Sequence, residues 1–381
     1  MILLFSCITL VYLFLIGRLA FGIDKVNAFT LEDMEPKTTF SIIIPFRNEA
    51  ENLPELLTSI ETLNYPNHLY EIILVDDASE DKSVEIIKKI IATNSTPVKL
   101  TRSNIKIIPN NRETNAPKKD AITSAINIAQ HDWIITTDAD CTLSLFWLDS
   151  FDGYIQRHAP EFIVAPVTYT NCDSFLKRFQ LLDFSSLQGA TIGGFGIHKP
   201  FLCNGANLAY KKNLFSSLQG FNGNTSVASG DDIFMLEKAL KHNSNNVHYI
   251  KNEHAIVYTK AQNTVRDLIS QRIRWASKTS RYNNIFAKVV GLTVLLMNAV
   301  LVCAIILSLI RLLNATFLIY IFIIKLSIDF LLLFKTARFF DQEHVLPTYF
   351  FSSLIYPFFS VYVAVVSMFS RYKWKGRAFS K

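Results

Sequence analysis

The sequence predicts an α/β domain with a mainly parallel sheet, carried between membrane-spanning helices at both ends of the chain. Three observations predict it. Between residues 37 and 284, short β-rich apolar runs alternate with helical stretches of about 10–15 residues, the pattern of βαβ units. Long apolar stretches occupy residues 1–23 and 289–370. Half of the 381 residues are apolar, only 18% are charged and Phe alone numbers 30, which excludes a disordered, collagenous or coiled-coil chain.

The elements follow in order. No basic residue precedes the first apolar run and no small-residue cleavage site follows it, so residues 1–23 read as a retained anchor rather than a signal peptide. Strands are expected at 40–45, 71–75, 104–108 and 133–137, and helices at 49–63, 81–93 and 118–130. Together these make an α/β domain over 37–261. Residues 264–282 interleave Arg266, Arg272, Arg274, Lys278 and Arg281 with Val265, Leu268, Ile269, Ile273 and Trp275. That is an interfacial amphipathic pattern, and 262–284 is assigned to it. Segments 289–310, 312–334 and 348–370 each suit a hydrocarbon layer of about 30 Å. Lys325 and Asp329, four apart, share a helix face and neutralise one another, either as a bundle-facing pair or as a polar lining.

A basic tail, with Arg371, Lys373, Lys375, Arg377 and Lys381, closes the sequence at 371–381. Lys and Arg prefer the cytoplasmic side, and four full spans would place this tail on the far side from the α/β domain, so the span count is three or four. The net charge of +6 is mild and diffuse, which argues against a nucleic-acid partner. Five scattered Cys argue against a disulfide framework, and the His residues form no metal-ligand motif.

In parallel sheets ligands bind beyond the carboxyl ends of the strands. There this chain is acidic: Pro45-Phe46-Arg47-Asn48-Glu49 follows the first strand, Asp76-Asp77-Ala78-Ser79 the second and Asp138-Ala139-Asp140 the fourth. Singly, an Asp after a strand is usually a helix cap, the role expected of Asp81. Gathered at one edge, carboxylates repel unless positive charge lies between them. Mg²⁺ or Mn²⁺ carrying a diphosphate suits such hard oxygen ligands.

These residues resemble the membrane-integrated, inverting glycosyltransferases of family 2, which have the GT-A fold. The resemblance runs from about residue 40 to 275. It rests on the strand-end motifs above, on Pro117-Lys118-Lys119-Asp120-Ala121 (with Pro where the family has Gly), on Asn204-Gly205-Ala206-Asn207, on Gly230-Asp231-Asp232 and on Gln271-Arg272-Ile273-Arg274-Trp275. Trp374-Lys375-Gly376-Arg377 adds a weaker echo that also reads as a membrane-surface anchor.

The resemblance implies transfer of a sugar from a nucleoside diphosphate, by default a UDP-sugar, to a hydroxyl of a membrane lipid or glycan acceptor. It implies Asp140 as metal ligand with Asp138 assisting or contacting the ribose, and Pro45, Glu49, Asp76, Asp77 and Lys118 at the donor. Asp232 is implied as general base, with Asp231 the alternative. Gly205, Gln271, Arg274 and Trp275 are implied for the acceptor or diphosphate. Both Asp231 and Asp232 would also favour a helix N-terminus. The implied setting is a bacterial inner membrane with the catalytic domain on the cytoplasmic side. Single addition is the leading expectation and processive polysaccharide synthesis the alternative, because a polymer needs a channel built from more spans.

Overall fold

The structure is a computed structural model that describes residues 1–92, 104–225, 227, 229–278, 281–369, 372–374 and 377–379, the last two stretches by backbone alone. The final residue of the second expected helix and of the last expected span, and Arg371, Lys375, Gly376 and Lys381 of the tail lie outside these residues. The chain forms two compact units. One comprises Asn27–Thr170 with Cys203–Lys260, the other Met1–Val26 with Asn171–Leu202 and Ala261–Lys381.

The first unit is built on a seven-stranded sheet in the order β3-β2-β1-β4-β8-β6-β9. The strands are β1 (Phe40–Phe46), β2 (Tyr70–Asp76), β3 (Ile105–Pro109), β4 (Trp133–Thr136), β6 (Phe162–Val164), β8 (Leu208–Lys211) and β9 (Val247–Tyr249). The four predicted strands pair in parallel; β8 alone runs against its neighbours β4 and β6. β1 and β2 are buried almost throughout, as near-continuous Ile-rich runs require when both faces are covered. The covering helices include α2 (Leu53–Glu61), α3 (Ser83–Ala92), α4 (Pro117–Ile128), α5 (Trp147–His158), α7 (Lys212–Ser217) and α8 (Asp231–Asn243). A smaller sheet pairs β5 (Thr142–Leu143), β10 (Val257–Lys260) and β7 (Val167–Thr170).

Strand order reverses between β1 and β4, which makes their carboxyl ends the switch point where ligands bind in such sheets. The β1–β4 ladder stops at the Ile43–Thr136 pair, whereas β1 continues with β2 to Phe46–Asp76. Pro45, with no N–H to donate, therefore sits where β1 has already parted from β4. The predicted elements are present with shifted ends. The second helix starts at Ser83 because the Asp81 carboxylate accepts from the Ser83 backbone N–H (3.0 Å) and Oγ (2.5 Å).

Among the described residues, the second unit holds the α-helices α1 (Ile2–Lys25), α6 (Phe175–Gly196), α9 (Val265–Ala276), α10 (Ile285–Leu309), α11 (Ala315–Phe339) and α12 (Tyr349–Phe369), followed by the strands β11 (Tyr372–Trp374) and β12 (Arg377–Phe379). Four helices among the described residues are long and apolar enough to cross a membrane: α1, α10, α11 and the stretch Glu343–Phe369. α6 had no counterpart in the sequence reading. It is a 22-residue helix whose Ser174 caps it by accepting from the Lys177 N–H, and its glycines Gly189, Gly193, Gly194 and Gly196 are poor helix formers.

Those glycines are explained by packing. A Cβ at Gly193 would lie 2.1 Å from the Leu19 carbonyl oxygen, and one at Gly196 only 1.8 Å from that of Gly22. α1 and α6 therefore touch backbone to backbone, which ties the N-terminal helix into its unit. Tyr12 of α1 also donates to Asp329 of α11 at 2.6 Å. Asp329 in turn pairs with Lys325, whose ammonium lies over the rings of Tyr12 and Tyr356. Lys325 and Asp329 are thus a bundle-facing pair.

Candidate active site

The centre of the α/β unit is one lysine. Lys118 stands in the first turn of α4, where Pro117 fits because an opening helical position needs no backbone donor. Its ammonium lies 2.6 Å from Asp138 just past β4 and 3.4 Å from Asp231 at the start of α8. Burial works against its charge. The carboxylates of Asp138, Asp231 and, more weakly, Asp232 outweigh that and hold its pKa well above the ordinary lysine value.

Gly230 adopts a left-handed conformation (φ 84°) that turns the chain into α8 and delivers Asp231 and Asp232 to its first turn. Asp232 accepts from the Gly205 N–H at 3.2 Å with one oxygen and from the Ile233 N–H at 2.8 Å with the other. Gly205 is tightly enclosed: an added Cβ would meet Asp231 at 3.0 Å, Lys118 at 3.4 Å and Asp232 at 3.5 Å. Its carbonyl accepts from Thr136 at 2.8 Å. Lys118, Asp138, Gly205, Asp231 and Asp232, predicted from four distant motifs, are therefore one cluster.

Asp77 lies in a second group at the ends of β1 and β2. It is buried, and one of its oxygens accepts from Asn110 (2.7 Å) and Arg112 (2.6 Å). Arg112 and the buried Arg47 also donate to its backbone carbonyl. Asp76 accepts from the Ser79 N–H at 2.9 Å, which shapes the turn after β2. Glu49 accepts from Asn52 at 2.7 Å, while its N–H donates to Ser83. Asn110 joins the two groups, since its amide also donates to the carbonyl of Pro117, next to Lys118. Asn110 and Arg112 were missed by the sequence reading, and Arg47, quoted within its motif, was given no role. They follow the third and first strands, so the same strand-end rule would have found them had basic and amide residues been collected with the acids.

Asp138 and Asp140 follow the end of β4. Their neighbour Cys141 is a buried thiol whose pKa is pushed up by burial and by both carboxylates, so it stays neutral. Among the described residues no three His, Cys, Asp or Glu side chains form a metal-holding group. A single ion pocket ringed by Asp77, Asp140 and Asp232 is therefore not formed by protein ligands alone. The donor set still fits Mg²⁺ or Mn²⁺ of the kind held by one or two carboxylates and completed by substrate phosphates, with Asp140 and Asp138 as the protein's share.

Gln271, Arg274 and Trp275 belong to the other unit, on α9. That helix is capped by Thr264, whose hydroxyl accepts from the Asp267 N–H at 3.1 Å. The expected helix over 264–282 stops at Ala276, with Ser277 as its C-cap. Arg272, between the signature residues, is buried against Asp183 of α6 at 2.6 Å and lies 4.2 Å from the Trp275 ring. All five Cys are free.

A mainly parallel sheet with acidic residues at its switch point, together with flanking apolar helices, defines a GT-A-type glycosyltransferase with a membrane-helix unit. The family model described as glycosyl transferase family group 2 matches residues 133–365, more than half of the chain, and that described as glycosyl transferase family 2 matches 41–218. The chain belongs to the family 2 glycosyltransferases, and it is a transferase enzyme.

It is 37% identical over 101 residues to an undecaprenyl-phosphate 4-deoxy-4-formamido-L-arabinose transferase of Pseudomonas savastanoi pv. phaseolicola, covering 26% of this chain and 27% of that protein. It is 22% identical over 185 residues to the poly-beta-1,6-N-acetyl-D-glucosamine synthase of Staphylococcus aureus, covering 47% of this chain and 40% of that one. The matches thus span well under half the length of these curated relatives. Among solved structures, a mannosyltransferase from Pyrobaculum calidifontis in complex with GDP-Man and Mn²⁺ superposes with a TM-score of 0.54 at 15% identity over 96% of both chains. At that identity the likeness is one of fold.

Proposed function

We propose that this glycosyltransferase moves a sugar from a nucleoside-diphosphate donor to a hydroxyl of a membrane lipid or lipid-linked acceptor, one sugar at a time and with inversion. The observation that carries the reading is the clustering of Asp138, Asp231 and Asp232 around Lys118. Carboxylates gathered at the strand ends, with Asp138 part-open to solvent, suit a diphosphate that arrives with its divalent cation. When bound there by Asp140 and Asp138, a divalent cation supplies Lewis-acid stabilisation of the departing diphosphate. The relatives support the reading: one is named as a transferase to undecaprenyl phosphate, and the superposed mannosyltransferase holds GDP-Man and Mn²⁺.

Asp232 is the general base. Backbone donors from Gly205 and Ile233 fix its carboxylate, which takes the acceptor's proton as the hydroxyl attacks opposite the leaving group. Lys118 restrains Asp138 and Asp231 so that they neither repel nor rotate freely. Pro45, Glu49, Asp76 and Asp77 line the nucleoside side, with Asp77 held rigid by Asn110 and Arg112. Gln271, Arg274 and Trp275 are assigned to the acceptor or diphosphate on the strength of their signature. The setting is a bacterial inner membrane with the α/β unit on the cytoplasmic side. UDP is the default nucleotide.

Asp232→Asn tests the base: transfer should fall by about 10²–10⁴-fold while donor affinity, measured by calorimetry with the nucleoside diphosphate, stays unchanged. Retained turnover would place the base elsewhere. The likeness to a poly-N-acetylglucosamine synthase favours a second reading, processive synthesis. Sizing the products of a labelled donor separates the two, since a ladder of long chains refutes single addition.

A further inference from the structure

α9 carries the signature, yet its buried charged side chain is not one of the signature residues assigned a role. Arg272 points inward, and its pairing with Asp183 of α6 leaves the two side chains only 6% and 7% exposed. Two charges are not withdrawn from water to that degree without a geometric consequence: each holds the other in one orientation, because either alone would be strongly disfavoured. The same guanidinium lies over the Trp275 indole at 4.2 Å, and Phe184, the residue after Asp183, packs on that indole at 6.1 Å between ring centroids. The Asp183 carboxylate has a further partner in the Tyr356 hydroxyl of α12. Two adjacent residues of α6 thus set the indole, one through Arg272 and one by direct contact.

The geometry points to Asp183 as a positioning residue: by fixing Arg272 it holds the Trp275 indole in one orientation on α9. This rests on the reading above only where it concerns activity, since the orientation itself is a property of the protein alone. Its place on α6, nearly ninety residues before the signature, explains why no local motif announces it. Arg272 likewise sits at a variable position of the Gln-x-x-Arg-Trp pattern. Here that position has a stated task, to hand the orientation set by Asp183 on to the next turn of α9. Asp183→Glu keeps the charge and should largely keep the orientation. Asp183→Asn keeps the shape and removes the charge.

The test uses the full chain in nanodiscs, labelled with 5-fluorotryptophan, with the Trp275 resonance assigned by its loss in Trp275→Phe. Without any substrate, Asp183→Asn should shift or broaden that resonance while those of Trp133 and Trp147 stay in place; Asp183→Glu should restore it. With donor and acceptor, Asp183→Asn should raise the acceptor KM about tenfold, with a smaller change in kcat. An unmoved Trp275 resonance in Asp183→Asn overturns the proposal. A moved resonance with wild-type kinetics in both Asp183→Asn and Trp275→Phe upholds it and refutes instead the acceptor role of Trp275. If Asp183→Asn fails to fold, Arg272→Lys tests the same link, because it retains the ion pair but loses the planar cation over the indole and should move the same resonance.

Discussion

The two units of this protein treat buried charge differently. In the membrane-helix unit, Arg272 is matched by Asp183 and Lys325 by Asp329, one cation to one carboxylate, with aromatic faces of Trp275, Tyr12 and Tyr356 around them. In the α/β unit, Lys118 faces Asp138, Asp231 and, at longer range, Asp232. The first pairs are largely closed to solvent. The second group lies at the strand ends, and Asp138 keeps 36% of its side chain open to solvent. Buried pairs hold helices in register, whereas carboxylates gathered at a strand edge and part-open to solvent are a place for a ligand to bring positive charge.

The strongest way to break that comparison is Lys118→Met. Removing its ammonium takes a cation away from Asp138 at 2.6 Å and Asp231 at 3.4 Å, and turnover should fall by about 10²–10³-fold, the scale of losing a preorganised charge. Steady-state assays with wild-type expression levels check it; a loss below about threefold would show that Lys118 is a surface cation with no share in the site.

The membrane pair predicts the opposite pattern. Lys325→Met alone strands Asp329 and should lower the apparent stability by about 3–5 kcal/mol, whereas Lys325→Met with Asp329→Leu should recover most of that loss. Thermal unfolding in detergent, with activity as a second readout, measures both. A double variant that is stable but inactive would make the pair a functional lining.

A smaller effect is expected at Glu71, at the amino end of β2 and away from the site. Burial raises its pKa, but the Gln130 N–H, Lys106 and Ser41 together outweigh this and lower it below the usual value. A lowered folded pKa means stability present above the unfolded value of about 4.3 and lost as pH falls through the folded one. Glu71→Gln should therefore cost about 1–3 kcal/mol at pH 7, with the difference from wild type closing as the pH falls below 4. A pH series of melting temperatures shows whether it does.

How much was legible in advance depended on range. The strands β1 to β4 were readable because apolar, β-branched runs between turn signals have few alternatives, and the helices between them implied parallel pairing; their order in the sheet was not readable. The acids at their ends were readable one motif at a time. What no local pattern announced was compensation across the sheet: Asn110 and Arg112 on Asp77, or Lys118 shared among three acids. α6 was hidden because glycine is penalised in isolated helices, and only the backbone contact with α1 gives Gly193 and Gly196 a reason to be there. Asp183 was invisible for the same reason, since its partner lies far along the chain.

The most direct test of the central claim, that the carboxylates at the strand ends receive a diphosphate together with a divalent cation, is Mn²⁺ binding followed by electron paramagnetic resonance with and without nucleoside diphosphate. Wild type and Asp232→Asn should bind Mn²⁺ tightly only when the nucleotide is present, and Asp140→Asn should lose that binding. Equal nucleotide-dependent Mn²⁺ binding by Asp140→Asn and wild type would contradict the account.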